Sequence, residues 1–246
     1  MSFSNPVLRD DIFLREDERE ASEQRMAIGG TVNKTLLLLV LLIVSSSITW
    51  YMTYRGTVEV LSLLTAGFIG MAGVALAISF FPKTAPLLSP VYAILSGFAL
   101  GGVSAFMEYE YPGIVVNAIL LTVGILFLML FMYTQRIIKV TRGFISFVVL
   151  CTMAIFLVTL VDFILNFFGM NVPYIHETGW VGIGISLFIV IIAALNLLVD
   201  FNFIEEQADQ GAPKYMEWYG AFALLVTLVW LYVRILDLLA KLSNRD

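Results

Sequence analysis

The chain has 246 residues, of which 60% are hydrophobic and 13% are charged, and its mean hydropathy is +0.92. Soluble domains have about 45–50% apolar and about 25% charged residues, so this composition argues against a soluble enzyme. The net charge is −5, and the apolar residues form long blocks rather than the alternation of a membrane β-barrel. Since a membrane-spanning helix needs about 20 mostly apolar residues, the chain has enough of them for about seven.

Two residue types that carry much of enzyme chemistry occur only once each. Cys151 lies within an apolar block and has no cysteine to pair with, and His176 alone cannot make a zinc site of the usual His/Cys kind. The HExxH sequence, the P-loop and the GxGxxG loop are all absent. We therefore expect no enzymatic activity and no cofactor.

The chain begins with a polar segment, residues 1–34, in which acidic and basic side chains alternate. The segment lacks the basic start and the early apolar core of a signal peptide. It is predicted to be a cytoplasmic tail, either mobile or folded as a surface helix. The remainder, residues 35–246, is predicted to be one transmembrane domain.

Seven apolar blocks follow this tail, separated by charged and turn-forming residues. Their predicted bounds are 35–54, 58–81, 87–107, 113–134, 144–168, 179–201 and 217–240. The predicted fold class is therefore all-α, a polytopic membrane protein with seven transmembrane helices. Small residues spaced four apart, which let helices approach closely in lipid, occur in three blocks: Ala66/Gly70, Gly73/Ala77 and Gly97/Gly101.

The loops are short, so the distribution of Lys and Arg predicts the orientation in the membrane. Ten of the fourteen basic residues lie on the side of the N-terminus and three lie on the other side, with Arg234 near a helix end. This distribution predicts a cytoplasmic N-terminus and a C-terminus on the opposite side. The lipid bilayer is the expected partner, and a nucleic acid is not expected.

Four stretches of the sequence have a distinctive pattern. They are Asn5-Pro-Val-Leu8, Gly30-Thr-Val-Asn-Lys-Thr35, the segment from Gly182 through Asn196 to Glu205, and Gly211-Ala-Pro-Lys-Tyr-Met-Glu-Trp-Tyr-Gly-Ala-Phe222. Together they resemble the bacterial branch of the Bax-inhibitor (transmembrane BAX inhibitor motif) family over nearly the whole chain. The resemblance implies a seven-helix bundle with the last helix at its centre, in a bacterial plasma (inner) membrane.

The same resemblance implies a function. One expectation is a pH-sensitive leak channel or transporter for calcium and other cations, whose partners are calcium and protons. The alternative is a regulator without transport of its own, which acts on a membrane protease or on stress and cell-death machinery. In that case the charged N-terminal tail would be the natural point of contact.

The wider family assigns pH sensing to two aspartates, one near the end of the sixth helix and one in the seventh. Asp200 matches the first, and Ile204-Glu205 follows it as in many members. The second has no match, because one alignment puts its position near Leu225 and another near Thr227. Neither residue ionises, so the resemblance does not carry over a pair of aspartates.

Five acids gather within eighteen residues around the loop between the sixth and seventh blocks: Asp200, Glu205, Glu206, Asp209 and Glu217. Clustered carboxylates suit Ca²⁺, and they disfavour one another's charged form, so their charge responds to pH. We interpret Asp200, Glu205 and Glu217 as ion- and pH-sensing candidates that could bind Ca²⁺, with the Asn196 amide nearby. The other interpretation is a solvated acidic loop, and no firm metal site is predicted.

Secondary candidates lie near the other membrane face. An acid at a helix centre costs about 2.5–3.5 kcal/mol on insertion scales. The presence of Asp162 and Asp237 within predicted spans therefore requires an explanation. Asp237 can pair with Arg234 at i, i+3. Asp162, with Asn166 one turn later, either lines a polar outer vestibule or is a hydrated acid. His176, in the outer loop, is either a pH sensor or an ordinary exposed histidine.

Overall fold

The computed structural model describes residues 25–55, 60–169 and 179–244. These ranges contain seven α-helices and one short 3-10 turn, Pro82–Thr84. The helices are α1 (Ile28–Arg55), α2 (Val60–Phe80), α3 (Ala85–Glu110), α4 (Ile114–Thr134), α5 (Arg142–Phe167), α6 (Trp180–Asp209) and α7 (Met216–Ser243). His176, Arg245 and residues 1–24 of the predicted tail lie outside the described ranges.

The all-α prediction is confirmed for the described residues. Six helices are long and apolar enough to cross a membrane, and α2 contributes a shorter apolar helix, Leu64–Phe80. α1 begins at Ile28 rather than at residue 35, so the end of the predicted tail is helical. α6 continues to Asp209 rather than ending at residue 201, and the chain then turns at Gly211, whose φ is +68°.

Contacts between helices give the relative directions of α1, α2 and α3. Gly97 of α3 lies against Leu42 and Ser45 of α1, and Gly101 lies against Ser46, so α1 and α3 run parallel. α2 runs antiparallel to α3, since Gly102 meets Leu64 whereas Gly67 meets the Leu95–Ala99 turn. The chain therefore passes back along the bundle in α2, which is compatible with seven spans.

The predicted close approaches at small-residue pairs are partly confirmed. A Cβ added at Gly97 or Gly101 would collide with the Ser45 side chain and the Ser46 backbone, so α1 and α3 touch at these glycines. At Gly73 nothing lies within 4 Å, so the predicted close approach at Gly73/Ala77 is wrong there. The spacing identifies small residues, but the rotation of each helix decides which of them face a neighbour.

α7 packs against α1, α3, α4 and α6, and Leu225, Leu231 and Leu236 of α7 are almost completely buried. This is the position that the family resemblance implies for the last helix. α5 lies at the periphery, packs against α6, and exposes most of its large apolar side chains. The last helix, α7, is thus inside the bundle, and α5, which bears Asp162, is at its edge.

Candidate functional site

Asp200 lies between α6 and α7. Leu197 and Ile204, one turn before and one turn after it on α6, are buried, so this face of α6 points into the bundle. The Asp200 carboxyl is hydrogen-bonded to the Thr227 hydroxyl of α7. Its Oδ2 is buried and has no hydrogen-bond partner among the described residues. A carboxyl group therefore lies at a helix interface with one hydroxyl partner and an unsatisfied oxygen.

Of the two positions that the alignments of the seventh helix suggest, Thr227 is the one that contacts Asp200. Thr227 is buried and meets Asp200, whereas Leu225 is buried in the apolar cluster that contains Tyr92 and Phe222. The position opposite the sixth-helix aspartate therefore holds a hydroxyl group in this chain. A hydroxyl can donate to a carboxylate and accept from a protonated carboxyl, but it adds no second charge.

Glu217, predicted to share a cytoplasmic mouth with Asp200, is buried against the start of α1. Its Oε1 accepts from the backbone N–H of Ala27 at 2.9 Å, and its other oxygen forms an ion pair with Lys34. Lys34 also lies over the Trp218 ring, 5.5 Å from its centroid. A Cβ on Gly30 would collide with the Glu217 carboxylate, so Gly30 lets α1 approach it. Glu217 thus joins α1 to α7.

Glu205 joins α6 to the end of α4. Its Oε1 accepts from Arg136 Nη2 at 3.0 Å, and its Oε2 accepts from the Tyr133 hydroxyl. The Tyr133 ring packs against Phe201, with ring centroids 5.7 Å apart. Arg136 is largely exposed, so the ion pair is at the surface.

Asn196 joins α6 to the peripheral helix α5. Its Nδ2 donates to Thr152 Oγ1 of α5 at 2.8 Å and to the backbone oxygen of Ile192 at 2.8 Å. Both donor hydrogens of the amide are therefore used. In this arrangement Asn196 is an interhelical contact one turn away from Asp200.

At the other end of the bundle, Asp237 belongs to a three-residue polar cluster. Lys241 Nζ lies 3.1 Å from Asp237 Oδ2 and donates to Ser186 Oγ of α6 at 2.7 Å, and Ser186 donates to Asp237 Oδ2 at 3.1 Å. Ser186 and Lys241 are buried. The ion pair with Lys241 at i, i+4 takes the place that sequence reasoning gave to Arg234.

Arg234 and Asp162 lie near this cluster. Arg234 is close enough to Asp237 to interact electrostatically, and its Nη2 donates to Thr159 Oγ1 of α5 at 3.3 Å. Arg234 Nε is buried without a hydrogen-bond partner among the described residues. Asp162 is buried on α5, so this acid points into the bundle, away from the exposed face of its helix.

The structure does not bring the three inner candidates together. Asp200 faces Thr227, Glu205 faces Tyr133 and Arg136, and Glu217 faces Lys34. Within the described ranges, no group of three or more Asp, Glu, His or Cys side chains is arranged to hold a metal ion. Calcium at Asp200, Glu205 and Glu217 stays a prediction.

Sequence reasoning missed the partners of these acids: Lys34, Tyr133, Ser186 and Lys241. Two of these partners could have been found from the sequence. Lys34 lies within a motif on which the family resemblance rests, and Lys241 follows Asp237 by one helical turn, a spacing at which the two side chains can pair. Tyr133 and Ser186 could not have been found in this way, because an aromatic residue or a serine in an apolar block does not identify its distant partner.

Residues 5–244 match the model of a protein family described as Bax inhibitor 1 like. Comparison with curated proteins gives no match. Comparison with solved structures gives none either.

Proposed function

The chain belongs to the Bax inhibitor 1 like family, and we propose that it is a pH-sensitive leak channel or transporter for calcium and other cations, with Asp200 as its protonation site. The observation that carries this proposal is the Asp200 carboxyl between α6 and α7. It has one hydroxyl partner, Thr227, and an unsatisfied buried oxygen.

The proposal follows from what a buried carboxyl group needs. A carboxylate removed from water is costly unless a cation or hydrogen-bond donors compensate it. Glu217, Glu205 and Asp237 have such cations in Lys34, Arg136 and Lys241. At Asp200 the compensating charge would be a proton or a cation from solution, and the two compete for the same carboxylate.

Apolar side chains separate this site from the polar cluster at the other end of α6 and α7. Val190, Ala193 and Leu197 of α6 are buried between Ser186 and Asp200, and Leu228 and Leu231 of α7 are buried between Thr227 and Asp237. In our proposal this arrangement is the closed state. Loss of the Asp200 proton would favour hydration of the carboxylate and separation of α6 from α7.

Calcium flux into proteoliposomes at two or more pH values tests the proposal. Asn has the shape of Asp but cannot change its charge, so Asp200→Asn should make the flux independent of pH. Asp209→Asn is the matched control, since Asp209 is an exposed acid at the end of the same helix, and it should keep the wild-type pH response. Flux of Asp200→Asn that varies with pH as in the wild type would remove Asp200 from the mechanism.

One contact favours the alternative function, a regulator of a membrane protease or of stress and cell-death machinery. Arg25 forms an isolated β-bridge with Pro213, and the backbone N–H of Met26 donates to Ala212 O at 2.7 Å. The chain before residue 25 therefore starts beside the α6–α7 loop. If removal of residues 1–24 abolished a cellular phenotype and left flux intact, the regulatory function would be favoured. Purified protein that conducts no ion would leave it as the remaining candidate.

We also propose a bacterial inner membrane as the location, with the N-terminus in the cytoplasm. The excess of Lys and Arg at the end of the bundle where α1 and α7 begin supports this orientation.

A further inference from the structure

An apolar cleft of about 430 Å³ lies between α1 and α4. The two helices form its walls and do not pack against each other, and α7 forms its floor with Leu228 and Val229. The cleft is distinct from the Asp200 site, since α6 contributes no residue to its lining.

The length of the cleft matches half of a membrane. On α1 its lining runs from Leu39 to Trp50, and on α4 it runs from Val115 to Leu126. Each stretch covers eleven residue steps, or about 16 Å of helix. The hydrocarbon core of a bilayer is about 30 Å thick, so one leaflet contributes about 15 Å. Two helices of opposite direction therefore define a cleft as deep as one leaflet, on the side where α1 ends.

The width of the cleft selects a single hydrocarbon chain. A volume of 430 Å³ over about 16 Å of helix gives a mean cross-section of about 27 Å². A helix with its side chains is about 10–12 Å across, or about 80–110 Å² in section, so the cleft suits a single hydrocarbon chain better than a helix of this chain or of a second copy. The polar segment before Arg25 is no candidate either, because it is strongly charged and joins α1 at the opposite end.

The chemistry of the cleft fits the same occupant. Leu, Ile and Val side chains form most of the lining, and the rim side chains Ile43, Ile119 and Val123 are exposed between the helices. The lining also contains hydroxyl groups, those of Ser46, Ser47, Ser104, Thr122 and Tyr232. Ser104 and Tyr232 share a hydrogen bond of 2.7 Å, and Ser47 and Thr122 donate to backbone oxygens of their own helices. Among the residues that the structure describes, no charged side chain lines the cleft. An empty space of this size would forgo the dispersion contacts of its lining, which a hydrocarbon chain restores.

We propose that this cleft binds one acyl chain of a membrane phospholipid, from the leaflet on the side where α1 ends. The chain lies along α1 and α4 and touches α7 at Leu228 and Val229. Its ester and headgroup lie beyond Trp50, at the depth where an amphipathic indole ring is favoured.

Native mass spectrometry tests the proposal on the full chain, reconstituted in vesicles of palmitoyl-oleoyl-phosphatidylglycerol and re-extracted in mild detergent. The wild type should retain one phospholipid. Ile43→Trp fills the cleft from α1 and should reduce the retained lipid several-fold. Ile48→Trp is the matched control, because Ile48 is an exposed isoleucine on the same helix outside the cleft, and it should retain lipid as the wild type does.

A second filling variant, Val123→Phe on α4, gives an independent measurement if Ile43→Trp does not fold, and thermal unfolding in detergent identifies the folded variants. Three results overturn the proposal. They are a wild type that retains no phospholipid, retained mass that corresponds to detergent or free fatty acid, and equal retention by the filling variants and Ile48→Trp.

Discussion

Asp200, Glu217 and Asp237 lie on the two helices that meet along the bundle, and each has a different partner. Glu217 is paired with Lys34, Asp237 is paired with Lys241 and hydrogen-bonded to Ser186, and Asp200 is hydrogen-bonded to Thr227. Two of the three acids therefore have a cation of their own. We expect those two to hold helices together, and Asp200 to exchange its proton.

The Glu217–Lys34 pair gives a prediction about stability. Loss of one member of a buried ion pair leaves the other charge uncompensated, which costs about 3–5 kcal/mol. Glu217→Gln should therefore lower the free energy of unfolding by about 3 kcal/mol, measured by denaturant titration in mixed micelles. Lys34→Met combined with Glu217→Gln should recover part of the loss, since neither charge then remains.

The control for this pair is Lys83→Met, at an exposed lysine in the turn between α2 and α3. It should change the free energy of unfolding by no more than about 0.5 kcal/mol. If Glu217→Gln behaved like this control, the pair would not be what fixes α1 to α7.

At the scale of helices, glycine decides how closely α1 and α3 pack. A methyl group on Gly101 would meet the backbone of Ser46, which cannot rotate away as a side chain can. Overpacking of this kind costs about 1–3 kcal/mol. Gly101→Ala should therefore lower the free energy of unfolding by that amount, measured by thermal or denaturant unfolding in detergent.

Gly73→Ala is the comparison, because nothing lies within 4 Å of that position on α2. Replacement of an exposed helix glycine by alanine should be neutral or stabilising by up to about 1 kcal/mol. Equal destabilisation by the two substitutions would argue that backbone flexibility matters here, rather than the α1–α3 contact.

For the whole molecule, the alternating directions of the helices place the ends of the described chain, Arg25 and Asn244, at opposite ends of the bundle. α1 and α7 begin together, as the Glu217–Lys34 pair shows, and run parallel. With the basic residues concentrated where they begin, we expect that end to face the cytoplasm.

Labelling of single cysteines tests this orientation in a Cys151→Ser background. A membrane-impermeant maleimide should label Glu110→Cys, at the exposed last residue of α3, from outside intact cells. It should label Lys83→Cys, in the turn between α2 and α3, only after lysis. The reverse pattern would invert the orientation and place the Glu205–Arg136 pair outside the cell.

For the described residues, the all-α class, the approximate bounds of the apolar helices and the Gly97/Gly101 contact could be predicted because hydrophobic length and residue spacing are local properties of a sequence. The start of α1 could not. Thr31 and Lys34 are polar, but both lie against α7, and the Thr31 and Thr35 hydroxyls donate to backbone oxygens one turn earlier. The opposition of Asp200 and Thr227 likewise depends on how two helices rotate and slide against each other, which packing determines.

The attachment of the N-terminal segment also sets an order of events during synthesis. Ala27 is hydrogen-bonded to Glu217, which is 190 positions later in the chain. Lys34 forms an ion pair with the same carboxylate, so it too has its partner only after Glu217 has been made. At about 5–20 residues per second, the ribosome needs roughly 10–40 s to make the intervening chain. Throughout that time Lys34 must stay hydrated at the membrane surface, or be shielded by a chaperone or insertase. The first helix can therefore take its final place only when the last has been inserted, and a truncated nascent chain would expose Lys34 without its partner.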